Sequence, residues 1–399
     1  MNVQQRIPKE ASRQREDWIT TNSVAPDLQS MFLFTAYSGA FQLNLQSGDI
    51  TALNPAMFTY TKVGEGFPDK VSNRLSPDHQ LFLNIGQELI SIHDMTKRQL
   101  NEVLGHPVLF LDAQHLLGLT DDCHFQLTSV QTEQVLWKVP ALSDAHKGLC
   151  RALVKRASLT TVSPARNALY YEEIVPSTSP DVVARYAFDL RDRIPKEIQL
   201  GRLGQQAQFQ GFSTEGDTVY FRLRQPDEAG NHGIMFHIRT TSLQPVLWGG
   251  YDHLLFLSTS RDLAVLSGQR LRGGQASQRL IGTQPSQPGK YLWEAEPPPA
   301  FYFVITPDGR KIFAVKDTHD ALIWAALNRE TGPGPWQTIP LNKALSPKDV
   351  PVLFCDSHNV LLMLQSRQGV EVFWHLDLEI GRIRSKFFSL DAILGSKRT

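Results

Sequence analysis

The most constraining feature of this sequence is a short pattern that returns six times. In each copy, an alternating apolar run ends in a polar turn, and another apolar run follows. The copies occupy residues 43–48, 92–96, 188–190, 238–241, 327–332 and 376–381. Alternation with a period of two indicates strands that bury one side. A repeat of roughly 40–50 residues that carries one small sheet is typical of sheets arranged around a common axis.

Turn-forming tetrads are a second repeated feature, and they mark the same position within each repeat. Several are close to Ser-Pro-Asp-Gly, in which Pro favours the second position of a turn and Asp and Gly tolerate the conformations that follow. We expect each tetrad to connect the first two strands of a repeat. The tetrads begin at Ala25, Ser76, Asp112, Ser163, Ser213, Ser260, Thr306 and Asp356, with successive intervals of 51, 36, 51, 50, 47, 46 and 50 residues.

These repeats predict an all-β chain, an eight-bladed β-propeller of four-stranded antiparallel blades. The predicted blades span residues 17–54, 68–104, 105–142, 151–201, 206–250, 251–297, 299–341 and 350–391. Seven blades is the alternative if one period is only a loop. The third period is the shortest, and in the sixth the segment 277–284 alternates poorly. We expect one propeller domain over 17–391, a mobile polar tail at 1–16 and a C-terminal tail at 392–399.

Composition narrows the class of partner. Forty basic residues balance forty acidic ones, so no overall field favours nucleic acid or a membrane surface. The three cysteines are too few for a disulfide framework, and their odd number fits a reducing compartment. The N-terminal segment has no apolar core of a secretory signal. These features predict a cytoplasmic protein with no bound cofactor.

The chain resembles the WD40 and bacterial YVTN-type propeller superfamily. Gly105-His106 stands where WD40 repeats place a Gly-His pair, His93-Asp94 and Phe188-Asp189 stand where they place Trp-Asp, and 306–309 reads Thr-Pro-Asp-Gly. The resemblance implies a rigid platform for protein partners more often than an enzyme. It also allows a lactonase-like or peptidase-associated propeller, although the sequence contains no Gly-x-Ser-x-Gly nucleophile motif.

Extra residues are concentrated in the predicted second-to-third-strand loops of blades four to six. These loops span residues 172–180, 224–233 and 269–276. Long loops on one face of a rigid scaffold often carry binding residues. We therefore predict a partner-binding face that includes Arg224, His232, Arg270 and Arg272. The alternative is that these loops have lengthened without acquiring a function, because loop closure entropy grows slowly with length.

Two Cys-His pairs raise the possibility of a metal site. Cys123 and His124 fall in a loop of blade three, and His146 and Cys150 fall in the connection to blade four. Four such ligands would suit zinc, although their spacing is unlike that of common zinc motifs. The alternative is two buried thiols and two surface histidines. Our leading hypothesis is a non-enzymatic scaffold that binds a protein partner, and the alternative is a propeller hydrolase with a site at the mouth of the central channel.

Overall fold

A computed structural model describes most of the repeats. The described residues are 19–24, 28, 30–35, 40–53, 75–78, 80–83, 88–92, 96–100, 106–142, 161–175, 182–247, 253–272, 275–287, 289–341, 350–355, 360–366, 369–375 and 383–389. The predicted tail 1–16, the tail 392–399, and the predicted ligands His146 and Cys150 lie outside them.

The first four sheets follow one another along the chain, and we refer to each sheet as a blade. Blade one contains β1 to β4, which span Ile19–Val24, Ser30–Thr35, Ala40–Asn44 and Ile50–Leu53. Blade two contains β5 to β7, which span Leu81–Leu83, Glu88–Ser91 and Lys97–Gln99. Blade three contains β8 to β11, which span His106–Phe110, His115–Leu119, His124–Ser129 and Val135–Pro140. Blade four contains β12 to β15, which span Thr161–Val162, Ala168–Val175, Val182–Asp189 and Ile194–Glu197.

The second half of the chain continues this order. Blade five contains β16 to β19, which span Ala207–Phe212, Thr218–Leu223, Gly233–His237 and Ser242–Val246. Blade six contains β20 to β23, which span His253–Ser258, Leu263–Arg272, Gln275–Thr283 and Tyr291–Ala295. Blade seven contains β24 to β28, which span Ala300–Ile305, Lys311–Lys316, Ala321–Asn328, Gly332–Pro333 and Gln337–Pro340. Blade eight contains β29 to β32, which span Val350–Cys355, Val360–Ser366, Gly369–His375 and Ile383–Ser389, and a short 3-10 helix, Gly201–Gln205, joins blades four and five.

The all-β prediction is confirmed. Each of the eight periods carries an antiparallel sheet within the described residues, and each sheet takes its strands in chain order. Blade two has three strands there, extended by an isolated bridge from Leu75 to Phe82. The poorly alternating segment of the sixth period nevertheless forms the regular strand β22, which pairs along its whole length with β21. Its pairing with the preceding strand therefore overrides a weak local pattern.

Burial differs between the strands of a blade and explains the sequence pattern. Second strands such as β17 and β25 are buried almost throughout, since neighbouring blades cover both of their sides. Fourth strands such as β11 are largely exposed. The core lies between blades: Phe125 of blade three packs against Tyr171 and Phe188 of blade four. Burying a side chain of this size contributes about 1.5–3 kcal/mol.

The predicted tetrads do connect first and second strands where the structure describes them, and a buried hydroxyl organises several of these turns. Ser213 Oγ donates to Asp217 and accepts from the backbone N–H of Asp217 and Thr218. In blade six, the residue at the equivalent position is the buried Ser258, two residues before the predicted tetrad. The reason is that Ser258 pairs with Leu263, which already belongs to β21.

Candidate interaction face

The antiparallel order of the strands gives every blade two ends with different contents. The turns between the first and second strands, and between the third and fourth, share one end, which we call the turn face. The loops between the second and third strands, and the connections between blades, share the opposite end, which we call the loop face. The first strands β16, β20, β24 and β29 contact their counterparts in neighbouring blades, so they lie nearest the axis.

On the turn face, the polar groups bind neighbouring blades to one another. Arg166 Nη1 of blade four donates to Phe110 O of blade three, and Asn167 Nδ2 donates to Glu215 O of blade five. Arg261 Nη1 of blade six donates to Asp308 O of blade seven at 2.5 Å. In blade eight, Cys355 Sγ donates to Ile305 O of blade seven at 3.6 Å. The turn face thus fastens consecutive blades from three to eight.

Glu215 is the centre of this network at the junction of blades five and six. Its carboxylate accepts from Ser258 Oγ at 2.6 Å, from Ser260 Oγ at 2.5 Å and from Thr259 N at 2.9 Å. Thr259 Oγ1 also donates to Asp217. Partial burial acts to raise the pKa of Glu215, but these hydrogen bonds outweigh it and lower the pKa to about 2.

On the loop face, the predicted insertion of blade five is a folded loop. The Asp227 carboxylate accepts from Ala229 N, from Asn231 N and from Asn231 Nδ2, at 2.8–3.0 Å. Asp227 N also donates to Asn231 O, and Gly230 adopts a φ of 81° to close the turn. An Asp side chain that binds its own backbone in this way holds a turn without help from the core.

Both ends of this loop are tied to neighbouring segments. Arg224 N donates to Gln206 O, beside the 3-10 helix that leads into the blade, and His232 N donates to Val246 O of β19. The side chain of Arg224 is exposed and that of His232 is half-buried. The structure therefore places these two predicted residues at opposite ends of one ordered loop.

Arg270 and Arg272 do not lie in a loop, so their predicted setting was wrong. The segment predicted as a flexible insertion continues the strands β21 and β22, with Arg270 opposite Ser277 and Arg272 opposite Gln275. Only residues 273–274 separate the two strands, and both are glycines. Gly-Gly is one of the residue pairs that favour a two-residue hairpin connection. The Gly-Gly pair is thus a local signal for a tight hairpin, and the predicted longer loop is not present.

Of the four predicted metal ligands, the structure describes Cys123 and His124, whereas His146 and Cys150 lie outside the described residues. Cys123 is disulfide-bonded, so its sulfur is not a thiolate that could bind zinc. His124 Nδ1 lies 2.9 Å from Asp122 O and 3.3 Å from the Asp122 carboxylate. Within the described ranges, no group of three or more His, Cys, Asp or Glu side chains could hold a metal ion.

The same ranges contain no helix that is long and apolar enough to cross a membrane.

A group of exposed aromatic residues on the loop face of blade seven was missed in the sequence. Phe301 and Tyr302, at the start of the innermost strand β24, are 49% and 47% exposed. The ring of Phe301 stacks on that of His319, with centroids 5.8 Å apart, and lies 6.4 Å from the ring of Tyr302. Their sequence, Ala-Phe-Tyr-Phe, is also what a buried strand would contain. We call Phe301, Tyr302 and His319 the aromatic cluster.

Comparisons with known proteins support the fold alone. No protein-family model and no curated protein sequence matches the chain. A solved structure titled as a eukaryotic initiation factor is similar with a TM-score of 0.51 and 11% identity, over 93% of this chain and 88% of that one. Dipeptidyl peptidase 4 from Porphyromonas gingivalis is similar with a TM-score of 0.52 and 10% identity, over 94% of this chain and 60% of that one.

These likenesses extend over nearly the whole chain, and with the eight successive sheets they support a β-propeller. One of the two proteins is named as a peptidase and the other as an initiation factor, so the shared fold leaves the function open. Membership of the WD40 family remains a resemblance, because no family model matches. By its fold, this chain is similar to β-propeller proteins.

Proposed function

We propose that this chain is a non-enzymatic interaction platform that binds a protein partner through the loop face of blades four to six. The observation that carries the proposal is the internal order of the loop between β17 and β18. The Asp227 carboxylate of this loop accepts three hydrogen bonds. Hydrogen bonds donated by the backbone N–H groups of Arg224 and His232 fix the two ends of the loop. A loop that is already ordered loses less conformational entropy when a partner binds.

This order favours a binding loop over neutral lengthening. In a loop that has lengthened without a function, water can accept the hydrogen bonds of the backbone N–H groups. Such a loop therefore does not need an internal carboxylate that accepts them. The exposed guanidinium of Arg224 and the half-buried imidazole of His232 supply charge and hydrogen-bond donors at a fixed separation. The hairpin that carries Arg270 and Arg272 contributes two more basic residues in the adjacent blade. We infer that the partner presents acidic groups to this part of the face.

Affinity capture with matched variants tests the proposal. The double variant Arg224→Ala, His232→Ala should reduce recovery of the partner at least fivefold, and Arg270→Glu should reduce it further when added. Arg239→Ala is the control, because Arg239 is an exposed arginine of the same blade on the turn face. Equal recovery by the double variant and by the Arg239 control would refute a binding role for this face.

The cytoplasmic location stays a prediction, and the oxidation state of Cys123 bears on it. A structural disulfide persists in oxidising compartments and is rare in the reducing cytoplasm. Cys123 is disulfide-bonded here, which runs against the inference from the odd number of cysteines. Thiol labelling of the protein taken directly from its native cells decides the matter. A labelled Cys123 agrees with the cytoplasm, and a protected Cys123 that reacts only after reduction contradicts it.

A further inference from the structure

The aromatic cluster of blade seven is held in place by a strained backbone. Tyr302 has a φ of 57° and His319 a φ of 58°, in the left-handed region, which is unusual for a bulky residue such as Tyr and less so for His. Such a conformation is unfavourable for a residue with a side chain and persists where the surrounding structure enforces it. A strained tyrosine in an exposed aromatic cluster is a reason to look for a function.

Tyr302 lies in a β-bulge at a place where other blades also have one. The pairing of first and second strands shifts register between Phe209 and Gly211 in blade five, between Leu254 and Phe256 in blade six, and between Phe301 and Val304 in blade seven. Bulges of this kind re-aim side chains near functional sites. The residues inside the bulges of blades five and six, Gln210 and Leu255, are half-buried, whereas Tyr302 is exposed and has a positive φ. Blade seven therefore uses a common bulge to present an aromatic ring.

The surroundings of the cluster are rigid and acidic. Three prolines, residues 297–299, lead directly into β24. The turn that carries His319 is closed by the backbone bonds from Asp317 N to Pro299 O at 3.1 Å and from His319 N to Lys316 O at 2.8 Å. The segments 294–302 and 316–320 contain four acidic residues against the single basic residue Lys316. Glu294 and Glu296 pair with Arg279 of β22, at 3.9 and 3.0 Å, so the acidic character beside the cluster comes from Asp317 and Asp320, which are exposed in the turn itself.

We propose that the aromatic cluster binds an arginine or lysine side chain of a protein partner. The faces of Phe and Tyr rings attract cations, and nearby carboxylates add to the attraction when they remain exposed. The cluster offers both, at the end of an innermost strand where a partner on the loop face would reach it. The proposal rests on the interaction function proposed above and adds the chemistry of one contact. Arg224, Arg270 and Arg272 in blades five and six, together with the carboxylates Asp317 and Asp320 beside this cluster, describe a partner with both acidic and basic groups.

A direct binding measurement with the full-length protein tests this contact. The probe is an immobilised tetra-arginine peptide, and a tetra-glutamine peptide of equal length is the neutral reference. We expect the wild-type protein to be retained on the arginine peptide and not on the glutamine peptide. Tyr302→Gly and Phe301→Ala should each weaken retention by about fivefold, since each removes one ring from the cation site. Tyr302→Phe should retain binding, because the ring remains.

These variants separate the site from general charge attraction and from misfolding. Tyr302→Gly changes no charge and relieves the positive φ, so its thermal midpoint should equal or exceed that of the wild type. Tyr291→Ala is the matched control, since Tyr291 is 48% exposed on the outer strand of blade six. Asp317→Asn should weaken retention and reduce its dependence on salt. Unchanged retention by both Tyr302→Gly and Phe301→Ala, or equal retention on the two peptides, would overturn the proposal.

The same experiment separates this contact from the binding loop of blade five. The variant Arg224→Ala, His232→Ala should still bind the tetra-arginine peptide, because its changes lie in another blade. If that variant loses the partner but keeps the peptide, both proposals hold. If it keeps the partner while Tyr302→Gly loses the peptide, the loop proposal fails and the cluster stands as an independent cation site.

Discussion

The two faces of the propeller use polar residues in opposite ways. On the turn face, Glu215, Arg166 and Arg261 direct their polar groups to the neighbouring blade. On the loop face, Asp227 satisfies its own loop, and the aromatic residues Phe301 and Tyr302 remain exposed. Polar contacts between blades are concentrated on the first face, although Arg185 Nη2 of blade four donates to Ala207 O of blade five near the loop face. The loop face in addition leaves ordered groups exposed for a partner. In this molecule, an exposed group on the loop face is therefore stronger evidence of binding than one on the turn face.

Two glycines give the sharpest contrast between the faces. Gly216 and Gly230 both have a positive φ, of 73° and 81°. A Cβ on Gly216 would lie 2.1 Å from Asn167 Oδ1 and 2.7 Å from Ser163 Oγ, whereas one on Gly230 would meet nothing within 4 Å. Gly216→Ala should thus cost roughly 3 kcal/mol in unfolding free energy, from backbone strain and a broken junction of blades.

Gly230→Ala should cost only the backbone term, about 1 kcal/mol. Urea unfolding of the two variants under the same conditions measures the difference. Similar urea midpoints for both variants would show that residues on the turn face are packed no more closely than those on the loop face. That result would contradict the proposed difference between the faces.

The carboxylates Glu215 and Asp227 give the next largest effect. Each accepts several hydrogen bonds, but those of Glu215 cross between blades and those of Asp227 stay within one loop. Glu215→Ala leaves Ser258, Thr259 and Ser260 without their acceptor and should cost about 1–3 kcal/mol.

Asp227→Ala should leave the thermal midpoint almost unchanged and increase hydrogen exchange only within residues 224–232. Hydrogen exchange with mass spectrometry reports both outcomes on one sample. If hydrogen exchange of Asp227→Ala increases across the whole of blade five, Asp227 stabilises the blade and not only its own loop.

The smallest effect is in the dependence of stability on pH. Because the folded protein lowers the pKa of Glu215 to about 2 from the ordinary 4.5, its ionised form stabilises the fold. This contribution is fully present above pH 4.5 and is lost as the pH falls through about 2. We expect about 1 kcal/mol, less than the shift alone implies, because solvent screens the partly exposed group.

A matched carboxylate on the loop face is the control for this effect. The hydrogen bonds from Lys138 and Thr120 lower the pKa of Asp122 to about 2 as well, but its side chain is more exposed, at 58%. Glu215→Gln should flatten the acid branch of the stability curve between pH 4.5 and 2, and Asp122→Asn should change it less. If both substitutions flatten the acid branch equally, solvent exposure does not explain a difference between the two carboxylates in how much their ionisation stabilises the fold.

The sequence predicted the blade order well because the repeated signals are local. A turn such as 306–309 is encoded by Thr306 and Asp308, whose hydroxyl and carboxylate bond each other at 2.6 Å. The position of Ser258 in blade six was misjudged by two residues, because strand pairing rather than local residue preference set the end of β20. The setting of Arg270 and Arg272 was wrong for the same reason, since the hairpin extends by pairing with β22.

The candidate site was less predictable. Arg224 and His232 could be placed on a loop from composition, but the bonds from Asp227 that order the loop depend on its folded path. Nothing in the sequence indicated that Phe301 and Tyr302 are exposed. An aromatic pair on a strand usually predicts core, and only a bulge with a positive φ turned this one outward.

By itself, the sequence determined that this protein is a series of small antiparallel sheets, because apolar alternation and turn-forming tetrads act over a few residues. The tertiary structure decided which polar groups join neighbouring blades and which stay exposed. Such contacts, like that of Glu215 with Ser258, join residues 43 positions apart in the chain. Their formation depends on how one sheet is placed against the next, and no short stretch of sequence contains that information.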